Sequence, residues 1–277
     1  MQLVQLQQAQ QRFKEQGLGI AAISYDSPTI LKEFAERQKI TFPLLADPTS
    51  EIIRKYHVLN SEARGMTMGM AHPGFFVVDS RGRMTEVFFE AAYTDRYTAN
   101  NLVGKLFPEL AEQVERSVEA PHISLKLEQS DGVVVPGSRL SLVAEISLVP
   151  GLHVYAPGAK GYKPIELSLD SASEIKSAGA VYPEAKILLL PAINERVPVF
   201  EGKFRITQDV TITADRSFVG ALGQGKTISV KGVFKYQACD EKICYLPDTV
   251  PVTWDIRVVP LDLKRPPEAI QHRENRG

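Results

Sequence analysis

Hydrophobic positions at helical spacing alternate with short apolar runs in the first part of the chain. An amphipathic helix is predicted over residues 2–16, and a second helix begins after Ser27, a capping residue followed by Pro28 in the first turn. Between them, residues 19–24 are apolar and uncharged, as in a strand that is covered on both faces. The pattern therefore predicts helices packed on strands from the start of the chain.

The same alternation continues to about residue 110. A short helix is predicted after Asp47, and a closing helix over residues 98–110. Strands are predicted at residues 41–46, 74–79 and 84–89, the last two joined as a hairpin. Helices that alternate with strands and end on a hairpin indicate a layered α/β domain.

The pattern becomes charged and breaks over residues 111–121, where we place a domain boundary near Ser117, and the spacing of hydrophobic residues then changes to a period of two. Alternating strands are predicted at residues 122–129, 139–149, 164–169, 204–212, 227–236 and 250–259. Glycine- and proline-containing turns separate them, and few helical segments intervene. This second half is typical of an all-β sandwich.

Composition narrows the possible functions. The chain has 277 residues, a formal net charge of −1 and 44% hydrophobic residues, which fits a folded protein of two domains. The balanced charge argues against nucleic-acid binding, and no apolar run has the length of a membrane span. We therefore expect neither nucleic-acid partners nor membrane insertion by this chain.

The two cysteines, Cys239 and Cys244, are the most chemically specific feature. Cysteines this close can form a local disulfide or act as a redox pair. A disulfide that closes so short a loop stabilises a fold weakly, which favours redox use over a structural role. Two ligands are too few for zinc, and no cofactor is expected. The acidic neighbours Asp240 and Glu241 disfavour thiolate formation, so a strongly activated nucleophile is not expected.

The N-terminal half resembles a known family. The segments AISYDSPTILKEFAERQKITFPLLADPTSEIIRKYHV and AHPGFFVVDSRGR are similar to the AhpC/TSA peroxiredoxins, over about residues 1–110. The resemblance implies a thioredoxin-like fold. It also implies that Pro73 is the family's cis-proline beside the active site, so the His72–Pro73 bond is expected to be cis and His72 to border the site.

The chain departs from that family at its catalytic position. The family's cysteine begins the first long helix after a central strand, but no cysteine precedes Cys239 here and the strand is absent. We expect that Met1 is an internal position of a longer protein and that this domain is N-terminally truncated; the alternative is a degenerate domain kept for structure or docking. Peroxidase activity is not expected of the sequence as written.

The C-terminal half resembles a second family. The segment YQACDEKICYLP, with GLHVYAPG and VPVTW, is similar to the N-terminal domain of the thiol:disulfide interchange protein DsbD, over about residues 120–258. The resemblance implies an immunoglobulin-like sandwich in which Cys239 and Cys244 are the redox pair. It places Tyr155, His153 and Tyr245 beside the pair, although His153 departs in type, and it makes residues 188–199 the candidate for a loop that caps the disulfide.

The sequence thus predicts a truncated thioredoxin-like domain at residues 1–117, a sandwich at residues 118–260 and a tail at residues 261–277. We expect thiol–disulfide exchange with thioredoxin-like or other thiol proteins, in an extracytoplasmic setting by resemblance. The cytoplasm is the alternative setting because the chain carries no signal peptide. The alternative function is a non-catalytic binding module with a structural disulfide.

Overall fold

The structure is a computed structural model, and it describes residues 2–92, 94–110, 114–190, 195–240, 242–262 and 267–270. The chain divides into two compact units, residues 1–106 together with 261–277, and residues 107–260. No helix in the described part of the chain has both the length and the apolarity needed to cross a membrane.

The N-terminal unit alternates helices and strands. Its elements are α1 (Gln2–Glu15), β1 (Ala22–Ser24), α2 (Pro28–Gln38), β2 (Leu44–Ala46), α3 (Glu51–Lys55), β3 (Gly74–Val78), β4 (Met84–Phe89), β5 (Arg96–Tyr97) and α4 (Ala99–Leu106). The predicted order is confirmed, with β5 as an additional strand; β1, β2 and β3 are shorter than predicted, and β4 spans the predicted residues.

Local capping explains where the helices begin. The Ser27 hydroxyl accepts the backbone N–H of Ile30 at 3.4 Å, so α2 begins as predicted. The Asp47 carboxylate accepts the N–H groups of Glu51 and Ile53, both at 2.9 Å, which fixes the start of α3. These side chains satisfy N–H groups that have no partner within the helix.

Four strands of this unit, β1 to β4, form two separate pairs. β1 runs parallel to β2, and β3 is antiparallel to β4. The expectation that residues 19–24 are covered on both faces is wrong, because Ile23 at the middle of β1 is 43% exposed. In the described residues β1 pairs with β2 alone, so its hydrophobic side chains are only partly covered.

The His72–Pro73 peptide bond is trans, so the cis expectation is wrong; among the described residues no peptide bond is cis. The chain here is extended and bonded on either side of the proline. The His72 N–H donates to Val58 O at 2.7 Å, and the Glu90 N–H donates to Pro73 O at 3.0 Å. A trans bond leads directly into β3, and no tight turn requires the cis form.

The C-terminal unit is built from strands. They are β6 (Val114–Ala120), β7 (Ile123–Gln129), β8 (Val133–Val134), β9 (Ser138–Leu148), β10 (His153–Tyr155), β11 (Glu166–Leu169), β12 (Ile175–Ser177), β13 (Lys186–Leu190), β14 (Glu195–Glu201), β15 (Lys203–Ile212), β16 (Lys226–Tyr236), β17 (Ala238–Cys239) and β18 (Asp248–Val258), with the short helix α5 (Arg216–Ala221). Three sheets result, in the orders β12-β15-β9-β7-β6, β11-β16-β18-β8 and β13-β14-β10-β17.

The first two sheets enclose one hydrophobic core. Alternate residues of β9, β15, β16 and β18 are buried, as the period of two predicts. Ile146, Ile206 and Ile256 are fully buried, and Trp254 is 3% exposed with its indole N–H donating to Glu128 O at 3.0 Å. The predicted immunoglobulin-like sandwich is confirmed.

Several elements of this unit are additional to the strands that the sequence predicts, namely β6, β8, β10, β12, β13, β14, β17 and α5. β6 lies in the charged segment for which the sequence predicts a break between domains. It pairs along its whole length with β7. The candidate capping loop at residues 188–199 is instead largely strand, because β13 and β14 pair in antiparallel register and only residues 191–194 lie outside the described residues. α5 had no clear apolar period, and none of its residues is buried.

Candidate functional site

The two cysteines form a disulfide at the end of the third sheet. Cys239 ends β17, and Cys244 faces it across a short turn in an isolated antiparallel bridge, with a Cα–Cα distance of 4.0 Å. This is close to the roughly 4.5 Å expected for residues opposed across a hairpin. The chain therefore reverses between the cysteines as the sequence predicts.

Hydrogen bonds hold the turn in addition to the disulfide. The Asp240 carboxylate accepts the N–H of Lys242 at 2.7 Å and that of Ile243 at 2.8 Å. These bonds hold the pKa of Asp240 below its ordinary value, with smaller contributions from the Tyr245 hydroxyl and the Lys242 charge. The Asp240 carboxylate therefore stabilises the turn between the two cysteines by accepting its backbone N–H groups.

The two cysteines differ strongly in exposure. Cys239 is 1% exposed and packs in an apolar cluster with Tyr155, Val197 and Val199. Cys244 is exposed on the turn. Cys244 is therefore the more accessible residue of the pair.

Two stacked tyrosines lie against the disulfide. The Tyr155 hydroxyl lies 3.8 Å from Cys244 Sγ, and its ring stacks on Tyr162 with centroids 4.1 Å apart. The Tyr162 hydroxyl donates to Glu195 Oε2 at 2.8 Å, which raises the pKa of Tyr162 to about 12. Burial is the main cause of the raised pKa of Tyr155, with a smaller effect of Glu195. Both hydroxyls thus remain protonated at neutral pH.

His153 occupies the position opposite Cys239 in the neighbouring strand. β10 pairs with β17 so that His153 faces Cys239, and with β14 so that His153 faces Glu201. The side chain is 5% exposed, its ring lies edge-on to Tyr155, and its buried Nε2 has no hydrogen-bond partner. Burial lowers the pKa of His153, partly opposed by the charges of Glu201 and Asp240.

Tyr245 lies on the other side of the turn. Its ring stacks on His122 with centroids 4.1 Å apart, and its hydroxyl donates to Asp240 Oδ2 at 3.3 Å. The Tyr245 N–H donates to Ala238 O at 2.9 Å, and this bond links the residue after Cys244 to the residue before Cys239. Tyr245 therefore belongs to the framework of the turn.

The structure brings together five of the seven site residues that the sequence indicated. Cys239, Cys244, Tyr155, His153 and Tyr245 surround the disulfide. The other two, His72 and Pro73, lie in the N-terminal unit just before β3, where the His72 ring packs edge-on against Phe89 at 5.8 Å.

The sequence carries no signal for Tyr162, whereas Glu195, Leu188, Val197 and Val199 lie in the candidate capping segment at residues 188–199. Tyr162 and Glu195 reach the disulfide through Tyr155, and the hairpin of β13 and β14 supplies Leu188, Val197 and Val199 to the apolar cluster. The candidate capping segment packs against Cys239 of the disulfide, but as paired strands. No cluster of three or more potential metal ligands occurs among the described residues.

Comparison with known families agrees with this division of the chain. Residues 1–87 match the model of the AhpC/TSA family, and residues 125–254 match the model described as thiol:disulfide interchange protein DsbD, N-terminal. The chain thus joins a thioredoxin-like redoxin domain to an immunoglobulin-like domain. More particularly, the first domain is similar to the AhpC/TSA family and the second to the N-terminal domain of DsbD.

Individual relatives lie in the peroxiredoxins. The chain is 29% identical over 149 residues to alkyl hydroperoxide reductase C of Bacillus subtilis, covering 52% of this chain and 74% of that protein. It is 30% identical over 76 residues to peroxiredoxin Bcp of Escherichia coli, covering 27% of this chain and 49% of that protein. The chain therefore spans about half the length of the latter relative.

Two solved structures are similar in part. The N-terminal periplasmic domain of ScsB from Proteus mirabilis shares 11% identity, with a TM-score of 0.34 and coverage of 54% of this chain and 53% of that one. Enterococcus faecalis AhpC shares 24% identity, with a TM-score of 0.33 and coverage of 41% and 70%.

Proposed function

We propose that this protein exchanges disulfides with thiol proteins through Cys239 and Cys244. The observation that carries the proposal is the asymmetry of the pair, one sulfur buried in an apolar cluster and the other on an exposed turn. Exchange requires an accessible sulfur for attack and a second sulfur that leaves and later returns. An inert disulfide has no need of this division.

The exchange has two steps. A partner thiolate attacks Cys244 Sγ, a partner–Cys244 disulfide forms, and the bond to Cys239 breaks with its electron pair on Cys239 Sγ. A second thiolate of the partner then attacks the partner sulfur and releases Cys244 as a thiolate. The partner dithiol is oxidised by two electrons, and the Cys239–Cys244 pair is reduced by two. Each step is reversible, so the relative potentials of the two pairs set the direction.

Exposed apolar side chains beside Cys244 support a protein partner. Ile243 is 56% exposed and Leu246 is 91% exposed, on either side of the cysteine. Such residues suit a protein surface that must approach the disulfide closely. We propose that they contact a thioredoxin-like or other thiol protein, together with Tyr155, His153 and Tyr245 around the disulfide. The contact role of His72 and Pro73 stays a prediction for the N-terminal unit.

The disulfide and the family resemblance support an extracytoplasmic setting. Disulfides persist in oxidising compartments, whereas cytosolic thiols are kept reduced. The peroxiredoxin-like domain has no cysteine of its own in this chain. We therefore assign the exchange to the sandwich domain alone.

The direct test compares single serine variants in exchange with a reduced thioredoxin. Cys244→Ser is expected to form no mixed disulfide even with a single-cysteine thioredoxin whose sulfur carries a leaving-group thiol, because the remaining Cys239 is buried. Cys239→Ser is expected to abolish turnover with a partner dithiol, because the native disulfide can no longer form. The probe for its free Cys244 is a single-cysteine thioredoxin whose sulfur carries a leaving-group thiol in a disulfide. Cys244 is expected to displace that thiol and form a stable mixed disulfide with the thioredoxin.

The control for these variants is Ser117→Ala, a change on β6 that leaves both cysteines in place. Full turnover by both cysteine variants would overturn the proposal. A pair that stays oxidised at potentials below about −300 mV, with no reaction towards thioredoxin, would instead establish the structural disulfide of a binding module.

A further inference from the structure

Three side chains of different chemistry form one row across the third sheet. Cys239 on β17, His153 on β10 and Glu201 on β14 are successive register partners. Directly opposed residues project from the same face of a sheet, with Cβ atoms about 5 Å apart. The sulfur of Cys239, the imidazole of His153 and the carboxylate of Glu201 therefore lie side by side. The exchange steps described above give no role to the imidazole or the carboxylate.

The exchange creates a charge where this fold is least able to solvate it. When a partner attacks Cys244, Cys239 leaves as a thiolate, yet Cys239 is 1% exposed among apolar side chains. Burial without a counter-charge disfavours a thiolate and raises the pKa of a thiol. A group beside Cys239 must compensate this charge if the disulfide is to open readily.

His153 has the properties that this task requires. It is the cross-strand neighbour of Cys239, it is almost fully buried, and its Nε2 has no hydrogen-bond partner while the disulfide is closed. A buried polar atom without a partner is unfavourable in a folded protein, and such atoms in native structures commonly have a functional reason. A disulfide sulfur is a weak hydrogen-bond acceptor for the imidazole nitrogen, whereas a thiolate is a strong acceptor.

We infer that His153 is the proton-transfer group of Cys239, holding as an imidazolium the proton that balances the Cys239 thiolate when the disulfide opens. This inference rests on the proposed exchange at Cys239 and Cys244. It deepens that proposal by giving the buried cysteine a dedicated acid–base partner, at a position where the sequence indicated only a contact residue.

The proton balance follows from the charge of each state. With the disulfide closed, burial lowers the pKa of His153 and the ring is neutral near pH 7. Opening the bond places a negative charge on Cys239, and one proton from water binds the imidazole. Cys244, on the exposed turn, takes a second proton from water when it is released. Closing the disulfide reverses both transfers, with the imidazolium losing its proton as the Cys239 thiolate attacks the mixed disulfide.

The charged groups around His153 support the imidazolium. Glu201 faces it from β14, and Asp240 follows Cys239 on the other side; both charges raise the pKa of the ring against the effect of burial. Lys186 pairs with Glu201 at 3.2 Å and moderates its charge. Tyr155, the ring neighbour on the same strand, remains protonated because burial raises its pKa. Reduction adds a further negative charge at Cys239 and thus favours the protonated ring.

The test measures protonation directly in the whole chain, with a chemical reductant in place of a partner protein. NMR titration of the His153 imidazole is expected to give a pKa below its ordinary value in the oxidised protein and above it in the reduced protein. Thiolate absorbance of the reduced protein is expected to show one thiolate near pH 7. In His153→Gln, which keeps a polar group but cannot titrate, that thiolate is expected only above about pH 8.5.

A matched control is His122→Asn, which removes the imidazole stacked on Tyr245 and keeps a residue suited to the positive φ of 70° at that position. It is expected to leave the thiolate titration unchanged. Trp254 fluorescence reports whether each variant folds, and His153→Phe provides a second non-titrating variant. With thioredoxin, His153→Gln is expected to slow exchange at pH 7 by roughly 10²-fold.

Two results would overturn the inference. One is a His153 pKa that is the same in the oxidised and reduced proteins, and the other is a thiolate titration in His153→Gln that matches the wild type. Because these readouts use a chemical reductant, they stand apart from the proposed function. A protein that exchanges with thioredoxin but shows no change at His153 refutes this inference alone, whereas a failure to exchange refutes the proposed function.

Discussion

The two units of this protein bury their hydrophobic residues in different ways. In the N-terminal unit β1 to β4 form two separate pairs, and the well-buried residues Leu6, Phe13 and Leu102 come from helices. In the C-terminal unit long alternating strands close around a continuous core. Large apolar side chains on the N-terminal strands, such as Val87 and Phe89, are still about half exposed.

This difference separates two sources of stability in one chain. The sandwich depends on cross-strand burial between residues far apart in sequence, whereas the N-terminal unit depends on helix caps and contacts between helices, such as the 2.7 Å hydrogen bond from Arg12 to Asn100. Perturbations of the two kinds should therefore act on different unfolding transitions. The single tryptophan, Trp254, reports the sandwich, while far-UV circular dichroism at helical wavelengths reports mainly the N-terminal unit.

The largest effect is expected from a cavity in the sandwich core. Ile206→Ala removes a fully buried side chain and should lower the free energy of unfolding of the sandwich by about 2–5 kcal/mol. Denaturant titration followed by Trp254 fluorescence measures this loss. Met84→Ala, at a half-exposed position of β4, is the control and should change stability by less than about 0.5 kcal/mol. An equal shift of the helical signal in Ile206→Ala would show that the units unfold together.

Reduction of the disulfide should have a smaller effect on the same transition. The loop between Cys239 and Cys244 is short, so opening it restores little chain entropy to the unfolded state, corresponding to about 2 kcal/mol. The measurement is the Trp254 transition with and without a reductant. The double variant Cys239→Ser with Cys244→Ser serves as the control and should not respond to the reductant. A loss as large as that of Ile206→Ala would contradict the local role of the loop.

Removal of a helix cap should affect the other unit. Ser27→Ala leaves the Ile30 N–H without its side-chain partner and should lower the stability of the N-terminal unit by about 1 kcal/mol. The helical signal measures this change, and Ser27→Asp, which restores an acceptor, should recover it. The expectation fails if the Trp254 transition moves by as much as the helical one.

The smallest effect is expected at the tyrosine beside the disulfide. The pKa of Tyr162 is raised to about 12, chiefly by its hydrogen bond to Glu195. A group whose pKa is raised on folding contributes stability that is complete below its unfolded value near 10 and is lost as the pH rises through about 12. Ultraviolet titration of phenolate should therefore lose a component near pH 12 in Tyr162→Phe.

Glu195→Gln tests whether the carboxylate charge of Glu195 is what raises the pKa of Tyr162. It should move the Tyr162 component to lower pH, whereas Tyr236, whose pKa is raised to about 12 chiefly by burial, provides an internal reference that should stay in place. A Tyr162 component that does not move would mean that Glu195 has no influence on it.

Much of the fold follows from the sequence because its signals are local. The cap at Ser27, the hairpin of β3 and β4, and the alternation along β9, β16 and β18 all depend on neighbouring residues. β6 was missed because its outward-facing charges hide the strand pattern. The exposure of β1 was missed because an apolar run gives no information about how many strands pair with it.

The candidate site was predictable only in part for the same reason. Two cysteines separated by four residues indicate a local disulfide, and the structure contains one. The row of Cys239, His153 and Glu201 depends on the register of three strands whose residues are up to 86 positions apart. Tyr162 has no pattern that marks it, because its role depends on stacking against Tyr155.

The hydrogen bonds of the turn have a consequence for how long a partner stays attached. Asp240 and the Tyr245 N–H hold the turn by contacts that do not involve either sulfur, so these contacts are available when the disulfide is open. Cys239 then remains beside Cys244 at a high effective concentration, far above that of any thiol in solution. In the proposed exchange, a covalently captured partner would therefore be short-lived, and the protein would carry electrons transiently rather than trap its partner.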